Sequence, residues 1–442
     1  MSTDSPPNPR LRPVLPQPIA ASQRHDARNG LHALCAVELC ERFAASLLGS
    51  LLLLYLNERL GMTLSTATRW SGSFNAMIYL SSVLGGIVAD RVLGTRRSVL
   101  LGATLLAAGY VTLSLDAAPL LCPAAALLVA GHALFKPSIS AAVGKLYQQS
   151  DPRREEAYSL FYVVFNVGAA CGPVAGGFLR RYFGWSGAFS VAALAMGIAL
   201  LLGLLCYGWL TAQGKAPTHA PHPHAEQAQR WPVVSLLGLL CSTLLFTAAY
   251  EQSGLSLLLW ARDCTKRTLL GHELPASVWL SLPGVLVLAI QPLLRMVIAT
   301  WTRRSGEPSL VARIGAGLAC GVSAYLVMFI AASTHAAHRV PVSSVWLLVC
   351  FVALTLGELL VYPLSMALVT RVAPLHASTI AMSLFLVSLS GGQWLAGEVA
   401  AQWATWPHAQ MFVTLAGLAL SALGALALAH RSIDRAIRAR CA

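Results

Sequence analysis

Twelve apolar stretches, each long enough to cross a bilayer, restrict the folds open to this chain. The hydrocarbon core of a membrane is about 30 Å thick, so a spanning helix needs about 20 mostly apolar residues. Inside lipid every backbone polar group must be bonded within the protein, and a helix achieves this within one segment. The sequence therefore predicts an all-α membrane protein with twelve transmembrane helices. They lie near residues 31–57, 70–90, 97–115, 119–146, 156–180, 185–212, 232–261, 276–300, 308–333, 343–370, 377–405 and 408–430.

The overall composition agrees with a membrane protein. Hydrophobic residues make up 56% of the 442 residues and charged residues only 11%, whereas soluble domains carry roughly 25% charged residues. The ten cysteines lie mostly in apolar stretches without metal-ligand spacing, so we predict neither a disulfide framework nor a metal site. Three histidines in a polar stretch, His219, His222 and His224, fit a solvated linker better than a metal tract.

A long polar interruption divides the chain into two halves. Residues 213–231 follow the sixth apolar stretch, which predicts six-helix bundles at 31–212 and 232–431, joined by a cytoplasmic linker. Residues 1–30 and 432–442 are predicted to be cytoplasmic tails, because the first tail has no apolar core of a signal peptide. Lys and Arg are concentrated in the segments that this topology places in the cytoplasm. The net charge of +13 follows from those segments and requires no nucleic-acid partner.

Charged residues inside the first apolar stretch indicate a functional cavity. Glu38, Glu41 and Arg42 have i, i+3, i+4 spacing and share one helix face. Each such charge costs about 2.5 to 3.5 kcal/mol at a helix centre on insertion scales, so it normally faces a cavity or a partner. A local ion pair between Glu38 and Arg42 is the simpler alternative. Charged groups in other apolar stretches favour a shared cavity, namely Lys136, Glu251 and Glu358.

The segment GGIVADRVLGTRRS, residues 85–98, lies between the second and third predicted helices. Its glycines allow close helix approach, its Asp–Arg pair can bridge helix ends, and its last two arginines anchor the loop in the cytoplasm. This spacing resembles the loop signature of the major facilitator superfamily. The resemblance implies gating or structural roles for Gly86, Asp90, Arg91, Arg96 and Arg97.

Five further motifs occur in order along the chain. They are ELCERF at 38–43, LFKPSISAAVGKLY at 134–147, FYVVFNVGAACGPVAGGFLRRYFGW at 161–185, YEQSG at 250–254 and LGELLVYPLSMALVTRVAP at 356–374. Together they resemble the proton-dependent oligopeptide transporter (POT) family within that superfamily. The resemblance implies the major facilitator fold, two six-helix bundles that alternate access to a cavity between them.

The same resemblance implies a proton-coupled symporter that imports di- or tripeptides or peptide-like compounds. Protons would be the coupling ions, without another cofactor, and the implied protein is a monomer in a bacterial inner membrane with both termini cytoplasmic. The implied proton-coupling residues are Glu38, Glu41, Arg42, Lys136 and Glu251. Lys136 is expected to exchange salt bridges with Glu38 and Glu41, while Arg42 is expected to pair with Glu251 until a peptide carboxylate replaces it.

The resemblance also implies a substrate site. Glu358 would hold the peptide ammonium and Asn166 the peptide backbone, beside Arg42 and Lys136. Four aromatic residues are candidate cavity walls, although aromatic residues at helical spacing are more often packing or interface residues. They are Tyr79, Trp394, Tyr55 and Tyr250.

Three departures from the family pattern leave the cargo open. Ala45 and Ser46 stand where family members commonly have tyrosines, and Leu282 precedes Pro283 where the family often has Asn. A transporter of a non-peptide anion or natural product is therefore the main alternative. A binding-only receptor is more remote, as is an intramembrane enzyme, because no catalytic motif falls at a plausible structural position.

Overall fold

The structure is a computed structural model that describes most of the chain. The predicted linker 213–231, residues 1–20 of the predicted N-terminal tail and the last part of the sixth predicted helix lie outside the described residues. The described residues are 21–147, 151, 153–205, 233–269, 271–306, 308–373 and 378–441.

The described residues of the first half form five α-helical segments. They are α1 (Ala21–Leu54), α2 (Leu64–Val88), α3 (Gly94–Ser114), α4 (Leu121–Lys145) and α5 (Arg153–Leu205). Short helical turns of other types connect or extend them at Tyr55–Arg59, Ala89–Leu93 and Ala118–Leu120. Inside α5, Gly184 adopts φ 72° and ψ −171°, a conformation that only glycine adopts without strain. The helix is therefore broken there into two.

The part of the second half that the structure describes has seven α-helices and a small hairpin. The helices are α6 (Val233–Tyr250), α7 (Ser256–Asp263), α8 (Leu282–Ser305), α9 (Leu310–His338), α10 (Val345–Val372), α11 (Ser378–Ala400) and α12 (His408–Cys441). A 3₁₀ turn, Glu251–Gly254, joins α6 to α7, and a second, Ala276–Ser281, precedes α8. Between them, β1 (Thr268–Leu269) pairs antiparallel with β2 (His272–Glu273).

The described helices contain twelve lengths of helix that can cross a membrane. Ten continuous helical runs are long and apolar enough, and two of these, Leu64–Ser114 and Arg153–Leu205, contain 51 and 53 residues. At about 1.5 Å per residue each is over twice as long as the hydrocarbon core is thick. Both turn at a glycine with positive φ, Gly94 and Gly184. The predicted all-α membrane class is confirmed, with six crossings in each half.

Glycines allow the helices that carry the charged residues to pack closely. A Cβ built on Gly172 of α5 would lie 2.0 Å from Ser46 Oγ of α1, and one on Gly168 would lie 2.7 Å from Arg42 Cβ. No side chain fits between these backbones. The α1–α5 contact therefore fixes the position of the charged face of α1 relative to α5.

The seventh predicted helix is interrupted, which the sequence did not predict. The apolar run 232–261 contains α6, the 3₁₀ turn Glu251–Gly254 and most of α7, so Glu251 lies at the break and not within a regular helix. A break inside an apolar run leaves the hydropathy unchanged, so a search by length and hydropathy detects one segment.

Candidate functional site

Three charged residues and a histidine form a compact group in the N-terminal half. Arg42 donates from Nε and Nη2 to the two carboxylate oxygens of Glu41, and its Nε lies 3.5 Å from Glu38 Oε1. His132 of α4 places Nδ1 3.1 Å from Glu41 Oε1, and both side chains are almost completely buried. The buried Glu41 carboxylate is therefore bonded by Arg42, as a desolvated carboxylate requires, and has the imidazole of His132 beside it.

The substrate-free contact predicted between Arg42 and Glu251 is wrong for this state. Arg42 is bidentate to Glu41, and the Glu251 side chain lies beside Gln393 of α11 instead. The bidentate geometry is the stronger one for a guanidinium, since it satisfies two donors at once. Among the described residues, the ion pairs of Arg42 are with its helix neighbours Glu38 and Glu41. The local pairing that was the simpler alternative is thus present, and it includes Glu41.

Lys136 lies close to this group without forming a short ion pair. Its Nζ is 5.2 Å from the centroid of the Tyr79 ring, a cation–π arrangement, and it interacts electrostatically with Glu38, Glu41 and Glu251. Within the described part of the chain, the ion pairs shorter than 4 Å do not include Lys136. The predicted exchange of salt bridges with Glu38 and Glu41 stays a prediction.

In the C-terminal half, Glu358 of α10 accepts a hydrogen bond from Tyr250. The Tyr250 hydroxyl lies 2.6 Å from Glu358 Oε2. Tyr362, one turn along α10, donates to Thr247 at 3.2 Å and packs edge-on against Tyr250 with ring centroids 5.8 Å apart. The structure thus brings the predicted pair Tyr250 and Glu358 together at one end of an aromatic cluster.

Tyr79 connects the two groups. Its side chain, on α2, interacts electrostatically with Arg42 of the N-terminal half and with Glu251 and Glu358 of the C-terminal half. A cationic group of the N-terminal bundle and two carboxylates of the C-terminal bundle therefore lie near the same residue. A small molecule with separated charges could contact both bundles there.

Of the remaining predicted substrate residues, Tyr55 lies elsewhere, whereas the substrate role of Asn166 stays a prediction. Tyr55 is 1% exposed and packs edge-on against Trp185 and Phe189, with ring centroids 5.4 Å and 5.1 Å away. Its assignment as a cavity wall is wrong, because it lies in the turn beyond the end of α1, where it fills the interior of the N-terminal bundle. Asn166 is buried on α5 and donates from Nδ2 to the Tyr162 carbonyl oxygen at 2.9 Å.

Trp394 is 52% exposed. It follows the buried Gln393 on α11 and continues an exposed apolar stripe that includes Leu384 and Val387. Its place in the cavity wall stays a prediction.

The residues of the loop signature lie where α2 turns into α3. Asp90 and Arg91 are exposed in the turn Ala89–Leu93, and the chain reverses at Gly94, whose φ is 74°. A Cβ on Gly86 would lie 3.9 Å from Pro137 of α4. Arg96 is half-buried and Arg97 exposed in the first turn of α3. The gating role of these residues stays a prediction.

Three residues of the site were missed in the sequence. His132 precedes Lys136 by four positions, so both lie on one face of α4, and that spacing could have identified it. Phe165 of α5 lies with its ring centroid 4.9 Å from Arg42 Cζ. Gln393 contacts Glu251 only because α11 packs beside the interrupted seventh crossing, and no local pattern reports that.

Contacts between the bundles cluster at one end, here called the outer end, which carries the α1–α2 and α7–α8 connections. Arg69 Nε lies 3.0 Å from Glu398 Oε2. Glu58 pairs with Arg180 of its own half and lies 3.6 Å from Arg262 Nη1 of the other. The outer end is therefore closed by ion pairs in this state.

Close backbone contacts lie on the same side of the molecule. A Cβ on Gly72 of α2 would lie 2.6 Å from Gly397 Cα of α11. One turn deeper, Ser390 Oγ donates to the Ala76 carbonyl oxygen at 2.9 Å. This seam runs from the ion pairs toward the charged groups.

A profile of the Major Facilitator Superfamily matches residues 34–397. The chain belongs to the major facilitator superfamily. That membership, with twelve membrane-crossing lengths of helix, makes it an integral membrane transporter and not an enzyme.

Relatives within the superfamily support the resemblance drawn from the motifs. The chain is 26% identical to the uncharacterized transporter YclF of Bacillus subtilis, over 92% of this chain and 95% of that one. It is 26% identical to the peptide transporter YePEPT of Yersinia enterocolitica, over 84% and 86%. Dipeptide and tripeptide permease A of Pectobacterium carotovorum is 25% identical, over 83% and 81%.

Solved structures share the fold. A POT family transporter in complex with a thioalcohol-conjugated peptide superposes with a TM-score of 0.83 at 22% identity, covering 92% of this chain and 96% of that one. A glutamate-to-glutamine mutant of a peptide transporter POT, in complex with alafosfalin, gives a TM-score of 0.84 at 23% identity, covering 94% and 99%. The predicted resemblance to the POT family and the predicted fold are confirmed.

Proposed function

We propose that this transporter is a proton-coupled symporter that imports di- or tripeptides through the region between its two bundles. The observation that carries the proposal is the distribution of charge around Tyr79, with Arg42 on one bundle and Glu251 and Glu358 on the other. A peptide zwitterion has a carboxylate for Arg42 and an ammonium for Glu358. The relatives named as peptide transporters support the same cargo.

In this proposal the substrate binds side chains that otherwise bond to other residues of the protein. Arg42 is bonded to Glu41, and Glu358 accepts from Tyr250. A peptide carboxylate would take Arg42 from Glu41, and a peptide ammonium would add a charge-assisted bond to Glu358. The carboxylate end thus replaces an existing bond and the ammonium end adds one, which limits the cost of desolvating the substrate.

Proton coupling would follow from the carboxylates near Lys136. Glu38, Glu41 and Glu251 all interact with that lysine, so protonating one of them changes the balance of charge around it. One proton crossing 100 mV supplies about 2.3 kcal/mol, which supports roughly fifty-fold accumulation of a neutral substrate. No other cofactor is required for this transport cycle.

The topology belongs to the same proposal. We place both termini in the cytoplasm and the protein, as a monomer, in a bacterial inner membrane, because Lys and Arg are concentrated in the corresponding segments. The closed outer end then faces away from the cytoplasm, and this state would exchange substrate on the cytoplasmic side.

Competition by N-acetylated peptides tests the cargo. In proteoliposomes with an imposed pH gradient, dialanine should inhibit uptake of a labelled dipeptide far more strongly than N-acetyl-dialanine. Losing a charge-assisted hydrogen bond costs about 1.5 to 3 kcal/mol, or roughly ten- to a hundredfold in affinity. In a Glu358→Gln variant the two compounds should compete equally. Equal competition in the unsubstituted protein would contradict the peptide proposal.

A non-peptide anion or natural product remains the second candidate cargo, favoured by the absent tyrosines. Ala45 is half-buried, which leaves one position less polar than in the family. Ser46 gives weaker support, because its hydroxyl donates to the Gly168 carbonyl oxygen at 3.1 Å on α5. Uptake that responds to anions but not to dialanine would favour this candidate.

A further inference from the structure

We propose that Cys264, His335 and His408 form a binding site for a single zinc-class metal ion at the outer end of the C-terminal bundle. One potential ligand atom from each residue lies within 4.8 Å of the others. The three come from separate elements: the residue after α7, the last turn of α9 and the first residue of α12. Transport as proposed above does not require this site.

One separation between ligand atoms already matches an edge of a tetrahedral site. Cys264 Sγ lies 3.7 Å from His408 Nδ1. With Zn–S near 2.3 Å and Zn–N near 2.05 Å, the sulfur–nitrogen edge of a tetrahedral zinc site is about 3.6 Å. The longest separation in the cluster, within 4.8 Å, must shorten by roughly 1 Å. Side-chain rotation of a half-buried histidine can supply that movement.

A hydrogen bond to the backbone gives His335 the tautomer that can bind a metal ion. Its Nδ1 lies 2.8 Å from the Val340 carbonyl oxygen, so this nitrogen carries the proton and donates. In the neutral ring, Nε2 then keeps its lone pair. Metal-binding histidines commonly donate their other ring nitrogen to a carbonyl oxygen in this way.

The backbone around the site is held in place without a metal. The Cys264 carbonyl oxygen accepts from Val342 N at 2.9 Å, and Lys266 N donates to the Val342 carbonyl oxygen at 2.8 Å. These bonds tie the segment after α7 to the segment after α9, which also carries Val340. Two of the three ligands are thus positioned by one backbone pairing.

Aromatic side chains enclose the cluster on one side. The Trp260 ring centroid lies 5.6 Å from those of both His335 and His408, and Trp403 stacks on His408 at 4.5 Å. Trp260 is completely buried. An apolar wall restricts water and competing ligands, which strengthens a bond between a metal ion and a thiolate.

The donor set selects the type of ion. One thiolate and two imidazoles suit zinc and similar borderline-soft ions, whereas magnesium and calcium prefer oxygen ligands. The nearby Asp263 carboxylate is held by Arg262, at 2.6 Å and 3.1 Å. Three protein ligands leave a fourth position for water.

Cobalt and zinc binding to the full chain in detergent tests the proposal. Co²⁺ should bind with a sulfur-to-metal absorption band, and Zn²⁺ should displace it at one equivalent per chain. Cys264→Ser should abolish the band and weaken Zn²⁺ binding at least a hundredfold, and His335→Asn should weaken binding similarly. Cys122→Ser, which changes an exposed cysteine, should leave both unchanged.

A triple replacement of His219, His222 and His224 by alanine separates this site from the histidines of the linker stretch. The band and the tight zinc equivalent should persist in that variant. Their loss there, or an unchanged zinc affinity in Cys264→Ser, would overturn the proposal. Thermal unfolding of each variant without metal, compared with the unsubstituted chain, verifies that it is folded.

Discussion

Buried charge at single residues sets the chemistry of the site between the bundles. Removing a carboxylate from water costs several kcal/mol unless donors replace the solvent. The side chain of Glu41 is 1% exposed, has Arg42 as its donor and lies 3.1 Å from His132 Nδ1, whereas Glu358 has a tyrosine hydroxyl. Spacing along one helix predicted the shared face of α1. It could not predict Gln393 beside Glu251, because that contact joins residues 142 positions apart.

At this scale we predict that Glu251→Gln uncouples the protein. A neutral glutamine resembles the protonated acid, so substrate-bound transitions should continue while the proton cycle stops. Accumulation driven by a pH gradient should disappear, and counterflow exchange of labelled substrate should continue in part. Both are measured in the same proteoliposomes.

Glu273→Gln is the matched control. Glu273 is exposed in the hairpin and pairs with Arg267, and such surface pairs contribute about 0 to 1 kcal/mol. Driven uptake should match that of the unsubstituted chain. Driven accumulation that survives in Glu251→Gln would remove Glu251 from the coupling residues.

Pairs of helices approach one another where glycine leaves room. A Cβ on Gly85 of α2 would lie 1.9 Å from the Ala133 carbonyl oxygen of α4, closer than any side chain can come. The sequence predicted close approach near Gly85 from the loop signature, and the contact with α4 confirms it. The partner helix could not be predicted, because twelve apolar stretches of similar length do not indicate which helices pack against each other.

At this scale we predict that Gly85→Ala destabilises the N-terminal bundle. Its Cβ meets backbone, which cannot rotate away, so α2 and α4 must separate, and overpacking typically costs about 1 to 3 kcal/mol. The unfolding temperature in detergent should fall. Gly49→Ala provides the comparison, because its Cβ would have nothing within 4 Å and alanine favours a helix over glycine by about 1 kcal/mol. That variant should unfold at the same or a higher temperature. An equal fall in both would show that the α2–α4 contact is not the cause.

The whole molecule is held in one state by contacts at its outer end. The ion pair Arg69–Glu398 and the seam of Gly72 and Gly397 join the two bundles there. The apolar stretches and the polar interruption at 213–231 predicted two bundles of six helices. Which ends of the bundles meet depends on exposed ion pairs of small energy. The alternative conformational states differ little in free energy, so the amino-acid sequence did not predict which one is present.

Reversing the charge of Arg69 alone should shift the balance between states. Arg69→Glu places two carboxylates side by side in a partly exposed site, where a pair contributes about 0 to 1 kcal/mol. A shift of that size changes the ratio of two states by up to roughly fivefold. The outer end should open more often, whereas Arg69→Glu with Glu398→Arg should restore the original balance.

A cysteine placed between the bundles at the outer end reports the opening of that end. Ser277 is 2% exposed and its Oγ would lie 2.4 Å from a Cβ on Gly177 of α5, so it lies between the bundles. Labelling of Ser277→Cys by a membrane-impermeant thiol reagent, measured above the labelling of the native cysteines, should rise by up to about fivefold in Arg69→Glu and return in the double reversal. The two changes carry opposite charges at one contact, so only a direct interaction makes the second cancel the first. Labelling that rises equally in the double reversal would mean that the arginine acts on the outer end through a different partner.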